Sequence, residues 1–394
     1  MVIQLLLLKI LVRMYNLEYI KESSKSSVQE LTQYSRFCDN KLKCSVLKDV
    51  YVLPLISDDG LKGGIVDNKG NTIKASSIEH IKDCYTIKSN SVKHEHSAIL
   101  INVFTTYGWG HCFTDHFSKL WFLKTELCKE LTRNGTNLIY ISLNNVKPPK
   151  YVVDLFNLAG LNLDNVKCVK DITKYERLYL PEDSFFSRDN KESRFYTKEY
   201  TETINDIKEN VRSLMKDKLF YSVPLYFTRT KGTFSGRYRD LGEKRIENVF
   251  KKMNYKVVAP ELLSVVEQIW ILMNAKRIVA TEGSVAHAAV FCESQTDITL
   301  IRKCDWISIH QLVINEVVGL NVTYIDANFS CFCDKKEPWH GPFYLYITNE
   351  LKKYVKKDII SIPYFFDYLF GVYCLRHIYT KYLRRLKYFF FKKI

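Results

Sequence analysis

The loop TRTKGTFSGRYR at residues 228–239 sets Arg229, Lys231, Arg237 and Arg239 around Gly232 and Gly236. Cations on a glycine-loosened loop suit an anionic ligand, and the guanidinium fork matches the paired oxygens of a phosphate. Further along, Glu282-Gly283-Ser284 precedes an apolar helical run with His287 one turn inside it. That order would aim backbone amides at a phosphate or ribose, and Ser284 could cap the helix as well. Glu282 could accept from sugar or ribose hydroxyls; His287 could contact a diphosphate or belong to the core. Glu261, after Pro260, would lie by the strand end that reaches a base or ribose. Glu267 and Gln268 could contact the ligand or hold the arginine loop in place, and Glu243, close to Arg245, reads as scaffold. Earlier in the chain, His111 and Asp115 share one helix face at i,i+4 spacing. Either could take a proton from a hydroxyl, or Asp115 could orient His111.

Parallel strands would position the first of these groups. Apolar runs at Val223–Thr228, Tyr255–Val258 and Arg277–Ala280 alternate with stretches of helical period, and Asp297–Ile301 and Val322–Ile325 extend the series. A βαβα order implies a parallel sheet with its ligand beyond the strand C-termini. Upstream, Ala98–Phe104, Thr136–Ile141 and Asn165–Val169 read as strands, with helices at His111–Leu123 and Val152–Gly160. The first half is therefore α/β as well. Residues 20–60 read as polar and turn-rich, and Thr197–Lys218 as a charged linker or long helix. The expected division is an N-terminal acceptor-binding α/β domain over 1–210, a Rossmann-like nucleotide-binding domain over 211–350, and a basic, aromatic helical tail over 351–394. Two such domains imply a ligand cleft between them.

Bulk properties narrow the class. The 394 residues exceed one ordinary core, and 46% hydrophobic content excludes general disorder. Eleven scattered cysteines fit reduced thiols in the cytosol better than a disulfide framework. Cys331-Phe-Cys333 is too tight for a zinc knuckle, so no metal site is expected. The first twenty residues hold an apolar patch broken by Lys9 and Arg13, which fits a first strand or a surface-seated helix rather than a bilayer span. The net charge of +15 has a local source: residues 372–394 contain seven Lys/Arg and no acid. On a helical wheel their apolar and aromatic residues share one face, the pattern of a helix lying in an anionic membrane surface. The other reading is a helix packing that face on the core. No nucleic-acid motif accompanies the basic residues, and nucleic acid is not an expected partner.

Thr228-Arg229 with its basic loop, Gly242-Glu243, Pro260-Glu261, Glu267-Gln268 and Glu282-Gly283-Ser284-x-x-His287 together resemble glycosyltransferase family 61. His111-x-x-x-Asp115 is similar to the family's His-containing segment. Where many eukaryotic members have His-Gly-Ala followed by Asn, this chain has Glu282-Gly283-Ser284 followed by His287, a form similar to bacterial relatives. The resemblance implies an α/β fold of the GT-B type, two Rossmann-like domains facing a central cleft. It implies inverting, metal-independent transfer, with the nucleotide sugar on the C-terminal domain and the acceptor on the N-terminal one. The chain has no Asp-x-Asp, which agrees with neutralising a diphosphate by side chains. No cofactor is expected beyond the nucleotide-sugar substrate, a UDP-sugar first. The expected acceptor is a bacterial surface glycan, lipid-linked or lipid-anchored, met at the inner face of the cytoplasmic membrane. A non-catalytic nucleotide- or glycan-binding partner in a polysaccharide assembly complex would carry many of the same residues.

Overall fold

The computed structural model describes residues 14–57, 60–73, 81–83, 92–187, 194–218, 223–231, 240–329, 341–356, 359, 361 and 363–379. The chain forms two compact units: Arg36–Lys218, and the segment up to Ser35 together with the chain from Leu219 onward. Strand β1 (Tyr15–Tyr19) belongs to the second unit. The first unit contains β2 (Cys44–Ser57), β3 (Leu61–Val66), β4 (Ile81–Asp83), β5 (Lys93–Phe104), β6 (Asn137–Ser142), β7 (Lys167–Cys168) and β8 (Thr173–Pro181). These make one seven-stranded sheet in the order β4-β3-β2-β8-β5-β6-β7, next to a small ribbon of β9 (Phe185–Ser187) and β10 (Arg194–Tyr196). In the second unit β11 (Leu225–Phe227), β12 (Lys256–Val258), β13 (Arg277–Thr281), β14 (Asp297–Arg302) and β15 (Asn321–Asp326) join β1 in the order β1-β15-β14-β13-β11-β12. Every pairing in this six-stranded sheet is parallel.

The fold is α/β, with a difference between the two units. The second sheet is wholly parallel, and β13 and β14 are buried at every position but their first. Helices on such a sheet bury both of its faces, which is why its strands read as unbroken apolar runs. The first sheet is mixed: β5, β6, β7 and β8 are parallel neighbours, while β2 runs antiparallel to both β3 and β8. The antiparallel β2 departs from the all-parallel sheet of a Rossmann-like unit, while β5 to β8 remain parallel. The stretch read as polar turns between residues 20 and 60 holds the helix Glu22–Leu31 and the fourteen-residue β2.

The expected first domain also loses its beginning. β1 pairs with the outer edge of β15, and Tyr15 stacks on Tyr324 with ring centroids 6.3 Å apart. The Lys21 amide donates to Asp326 Oδ2 at 2.7 Å, fixing the exit of the strand. An apolar edge strand would otherwise expose unpaired backbone groups, and residues 15–19 cover it. Residues 1–13, the larger part of the apolar N-terminal patch, lie outside the described residues. The charged stretch before the second unit is the helix Lys198–Met215, which buries Ile204, Ile207 and Val211 along one side.

At the other end, helix Tyr368–Ile378 is capped by Asp367, whose carboxylate accepts from the Leu369 amide at 3.0 Å. Arg245 grips the same carboxylate through both guanidinium nitrogens, and the Tyr344 hydroxyl donates to it at 2.5 Å. Arg245 holds the Asp367 carboxyl down at about 2. Among the described residues no helix is long and apolar enough to cross a membrane. Residues 380–394, most of the basic tail, lie outside the described residues.

Gly242 opens helix Glu243–Lys252 at φ +88°, and a Cβ there would stand 1.9 Å from the Leu345 carbonyl oxygen. Both the left-handed backbone and the close approach of the Leu241–Leu345 pairing require glycine. Gly242→Ala should cost about 2–4 kcal/mol, since the backbone must move as well as strain. Gly70→Ala, at φ +84° with open space around it, should cost only about 1 kcal/mol. Urea unfolding midpoints of the two variants check the ranking.

Candidate functional site

The C-terminal edge of the parallel sheet brings together Arg229, Glu282 and Gly283 of the expected residues. Thr228 follows β11 and is tied to its neighbour by Thr228 N–H to the Val258 carbonyl at 2.9 Å. The turn beyond it is pinned to helix Glu243–Lys252 by two carboxylates. Glu243 Oε1 accepts from the Arg229 amide at 3.0 Å, and Glu247 Oε2 accepts from the hydroxyls of Thr228 and Thr230 at 2.6 and 2.8 Å. Glu243 is scaffold, as expected, although Arg245 is not its partner. Glu247 carries the role proposed for Glu267.

Arg229 Nη1 donates to Asp240 Oδ2 at 2.9 Å, and Lys303 Nζ lies 3.6 Å from the same oxygen. Lys303 follows β14 directly. Its neighbour Arg302, fully buried, pairs with Asp326 at 2.6 Å and donates to the Asp305 carbonyl, which fixes the strand end that presents Lys303. The two cations converge on Gly283. A Cβ at that position would stand 3.4 Å from Lys303 Nζ and 4.0 Å from Arg229 Nη1. Gly283 has φ +125°, a backbone region that favours glycine, and no side chain stands between it and the two charges. The Lys303 stem also passes the Phe343 ring, with Nζ 4.5 Å from its centroid.

The carboxyls around this pair are unusual. Burial pushes Glu282 up to about 8, against the pull of Arg302 and Lys303. Burial, helped by the Asp240 charge, raises Glu243 too. With these two acids biased toward neutrality, Asp240 is the carboxylate that Arg229 and Lys303 share. Burial also lowers Lys303, so desolvation works against its charge while Asp240 supports it. An additional anion at Gly283 would favour both cations. Glu282 Oε1 is buried without a hydrogen-bond partner, next to this position.

The other expected residues have local positions and partners of their own. Ser284 is the first residue of the short helix Ser284–His287 rather than its cap; Gly283 takes the cap position. His287 turns toward Ser308, with Nε2 at 3.4 Å from its hydroxyl, and toward the His310 ring. Glu267 closes a capping box with Ser264 at the start of helix Val265–Asn274. Gln268 is buried and donates to the Leu263 carbonyl at 3.1 Å, which makes it a brace for that helix. Glu261 is exposed on the turn Pro260–Leu262. Arg237 and Arg239 lie outside the described residues. The sequence reading missed Lys303 and Asp240. A lysine two residues past the apolar run Asp297–Ile301 is the signal that could have found the first.

In the first unit, His111 Nδ1 and Asp115 Oδ2 are 2.6 Å apart, both partly exposed. The expected helix His111–Leu123 is broken into a turn Trp109–His111, a widened turn of π geometry Cys112–His116 and a 3₁₀ turn Leu120–Lys124. It is fixed from below: Tyr200 donates to the Phe113 carbonyl, and buried Asn102 on β5 donates to the His116 carbonyl at 2.8 Å. A carboxylate on Nδ1 leaves Nε2 as the imidazole nitrogen that can accept a proton. His116, wholly buried, is pushed down to about 4 by desolvation and stays neutral. Among the described residues no group of three His, Cys, Asp or Glu side chains is arranged to hold a metal ion.

The Glu282 carboxyl gives a pH test. The folded protein retains its proton from the ordinary carboxyl range up to about 8, so the stability it supports is lost as pH rises through that interval. Glu282→Gln, which has no proton to lose, should show a smaller fall in Tm than the wild type between about pH 5 and 8.5. Parallel curves would mean that Glu282 is already ionised in the fold.

The family model described as Glycosyltransferase 61 matches residues 109–299. The match opens just ahead of His111 and runs through Arg229, Asp240, Glu243 and Gly283 into β14. Comparison with curated proteins gives no match. The ordered motifs, the parallel sheet with its cations at the strand ends and the 109–299 match agree: over that span the chain belongs to glycosyltransferase family 61 and is a glycosyltransferase.

Proposed function

We propose that this glycosyltransferase is inverting and metal-independent, and moves a sugar from a nucleoside diphosphate donor to a hydroxyl of a bacterial surface glycan. Uridine diphosphate is the nucleotide to try first. In this reading the donor lies on the six-stranded parallel sheet and the acceptor on the unit of β5. The observation that carries it is the convergence of Arg229 and Lys303 on the bare backbone of Gly283. Two cations that share one carboxylate can accept the oxygens of a leaving diphosphate without large rearrangement, and preorganised charge of this kind lowers the barrier where negative charge develops.

Transfer in this reading is a single displacement. The acceptor oxygen forms its bond to the anomeric carbon as the bond to the diphosphate oxygen breaks, and the configuration inverts. On its own unit, His111 Nε2, with Asp115 holding the ring through Nδ1, is the base proposed for an acceptor hydroxyl. The bonding electrons leave on the diphosphate, between Arg229 and Lys303. Glu282 Oε1 is the buried group available to a donor hydroxyl. The enzyme would work at the inner face of the cytoplasmic membrane, on a lipid-linked acceptor.

Turnover against a panel of nucleotide sugars, with EDTA present, tests this. One donor should be consumed in EDTA, and Arg229→Ala or Lys303→Ala should lower kcat/KM by roughly ten- to hundred-fold. His111→Ala should lower kcat by about a hundred-fold or more, and Asp115→Asn should lower kcat by less, with the donor KM unchanged. Turnover that requires a divalent metal, or survives loss of either cation, would contradict the proposal.

A further inference from the structure

The end of the chain carries an apolar surface that donor chemistry does not use. Helix Tyr368–Ile378 turns Tyr373 inward, 1% exposed, against Leu241 and Tyr344, with Leu369, Phe370, Val372 and Cys374 packed beside it. Its other side is open: Phe366 is 75% exposed, Tyr368 74% and Leu375 68%. Of the fourteen exposed large hydrophobic side chains among the described residues, six fall between Phe365 and Tyr379, so they form a patch rather than scatter. Of the apolar face read for residues 372–394, Leu375, Ile378 and Tyr379 are exposed, and the residues after Tyr379 lie outside the described ones.

Charge decides what covers the patch. From Tyr368 to Ile394 the sequence has no acid, with Arg376 and His377 in the helix and six further Lys/Arg after Tyr379. The nearest acid, Asp367, is buried under Arg245 and Tyr344 and is withdrawn from the surface. A second copy of the chain would bring an equally basic, acid-free segment, whereas an anionic lipid surface supplies both counter-charge and an apolar layer.

We propose that Phe365, Phe366, Tyr368, Leu375, Ile378 and Tyr379 form a docking face for an anionic lipid bilayer. The Arg245–Asp367–Tyr344 clamp fixes this face to the unit that carries Arg229 and Lys303. Since Arg245 and Glu243 stand in the same helix turn, the bilayer contact and the donor-site scaffold share one rigid element. The inference concerns a surface and does not depend on the donor or acceptor proposed above.

Flotation of the full chain with phosphatidylcholine vesicles, with and without about one third phosphatidylglycerol, tests it. The chain should float with the anionic vesicles, stay behind with the neutral ones, and be released by high salt. The exposed double substitution Phe366→Ser, Tyr368→Ser should weaken binding about ten-fold or more with an unchanged Tm. Removal of residues 380–394 should abolish the salt-sensitive part. Equal flotation with neutral and anionic vesicles, or wild-type binding by the double variant, would overturn the proposal. So would concentration-dependent dimerisation in sedimentation without vesicle binding. Because no nucleotide is present, a negative result here leaves the transferase reading untouched.

Discussion

Arg229 and Lys303 come from two different strands of one parallel sheet, and Asp240 is what lets both remain in place. A half-buried arginine and a half-buried lysine cannot sit side by side without an anion, because desolvation and mutual repulsion both act against their charges. The shared Asp240 oxygen, at 2.9 and 3.6 Å, supplies that anion, and the surrounding fold is arranged to deliver it. Glu243 and Glu247 hold the turn after β11, the Arg302–Asp326 pair holds the end of β14, and Gly242 lets the chain pass close to Leu345 directly after Asp240. One carboxylate between two cations still leaves an excess of positive charge. Gly283 leaves that excess facing backbone rather than a side chain.

The two candidate sites are built by different means. Arg229 and Lys303 rest on loops at the ends of buried parallel strands, where the sheet fixes positions but the side chains need local counter-ions. The His111–Asp115 pair rests on a broken helix, and its precision comes from hydrogen bonds to backbone carbonyls made by Asn102 and Tyr200. A widened turn at Cys112–His116 keeps His111 and Asp115 in register without a full helix beneath them. For the base proposed above, positioning of this kind matters because proton transfer needs hydrogen-bond distance.

Much of this was legible in the sequence where burial is two-sided. β11, β13, β14 and β15 fall on continuous apolar runs, and β5 and β6 do likewise in the first unit. β2 was not legible because Lys48-Asp49 and Pro54 interrupt its pattern. The structure accommodates them with a left-handed Asp49 and with Gly63, where a Cβ would stand 2.4 Å from the Pro54 carbonyl oxygen. Helix Glu22–Leu31 is rich in serine and buries only Ser24 and Val28, so neither propensity nor periodicity marks it. The affiliation of β1 depends on the edge of β15, a contact across almost the whole chain. Arg229 could be read from its place after a strand. Lys303 could not be weighed without knowing that Asp240 comes to meet it, and Glu267 looked functional until its capping box with Ser264 accounted for it.

The account stands or falls on the Arg229–Lys303 pair as a diphosphate subsite. Calorimetric titration of uridine diphosphate, uridine monophosphate and other nucleoside diphosphates into wild type, Arg229→Met, Lys303→Met and the double variant measures it directly. Each single change should weaken diphosphate binding by roughly ten- to hundred-fold, the double change should cost less than the product of the two, and monophosphate binding should change little. Diphosphate affinity unchanged in both single variants would contradict it.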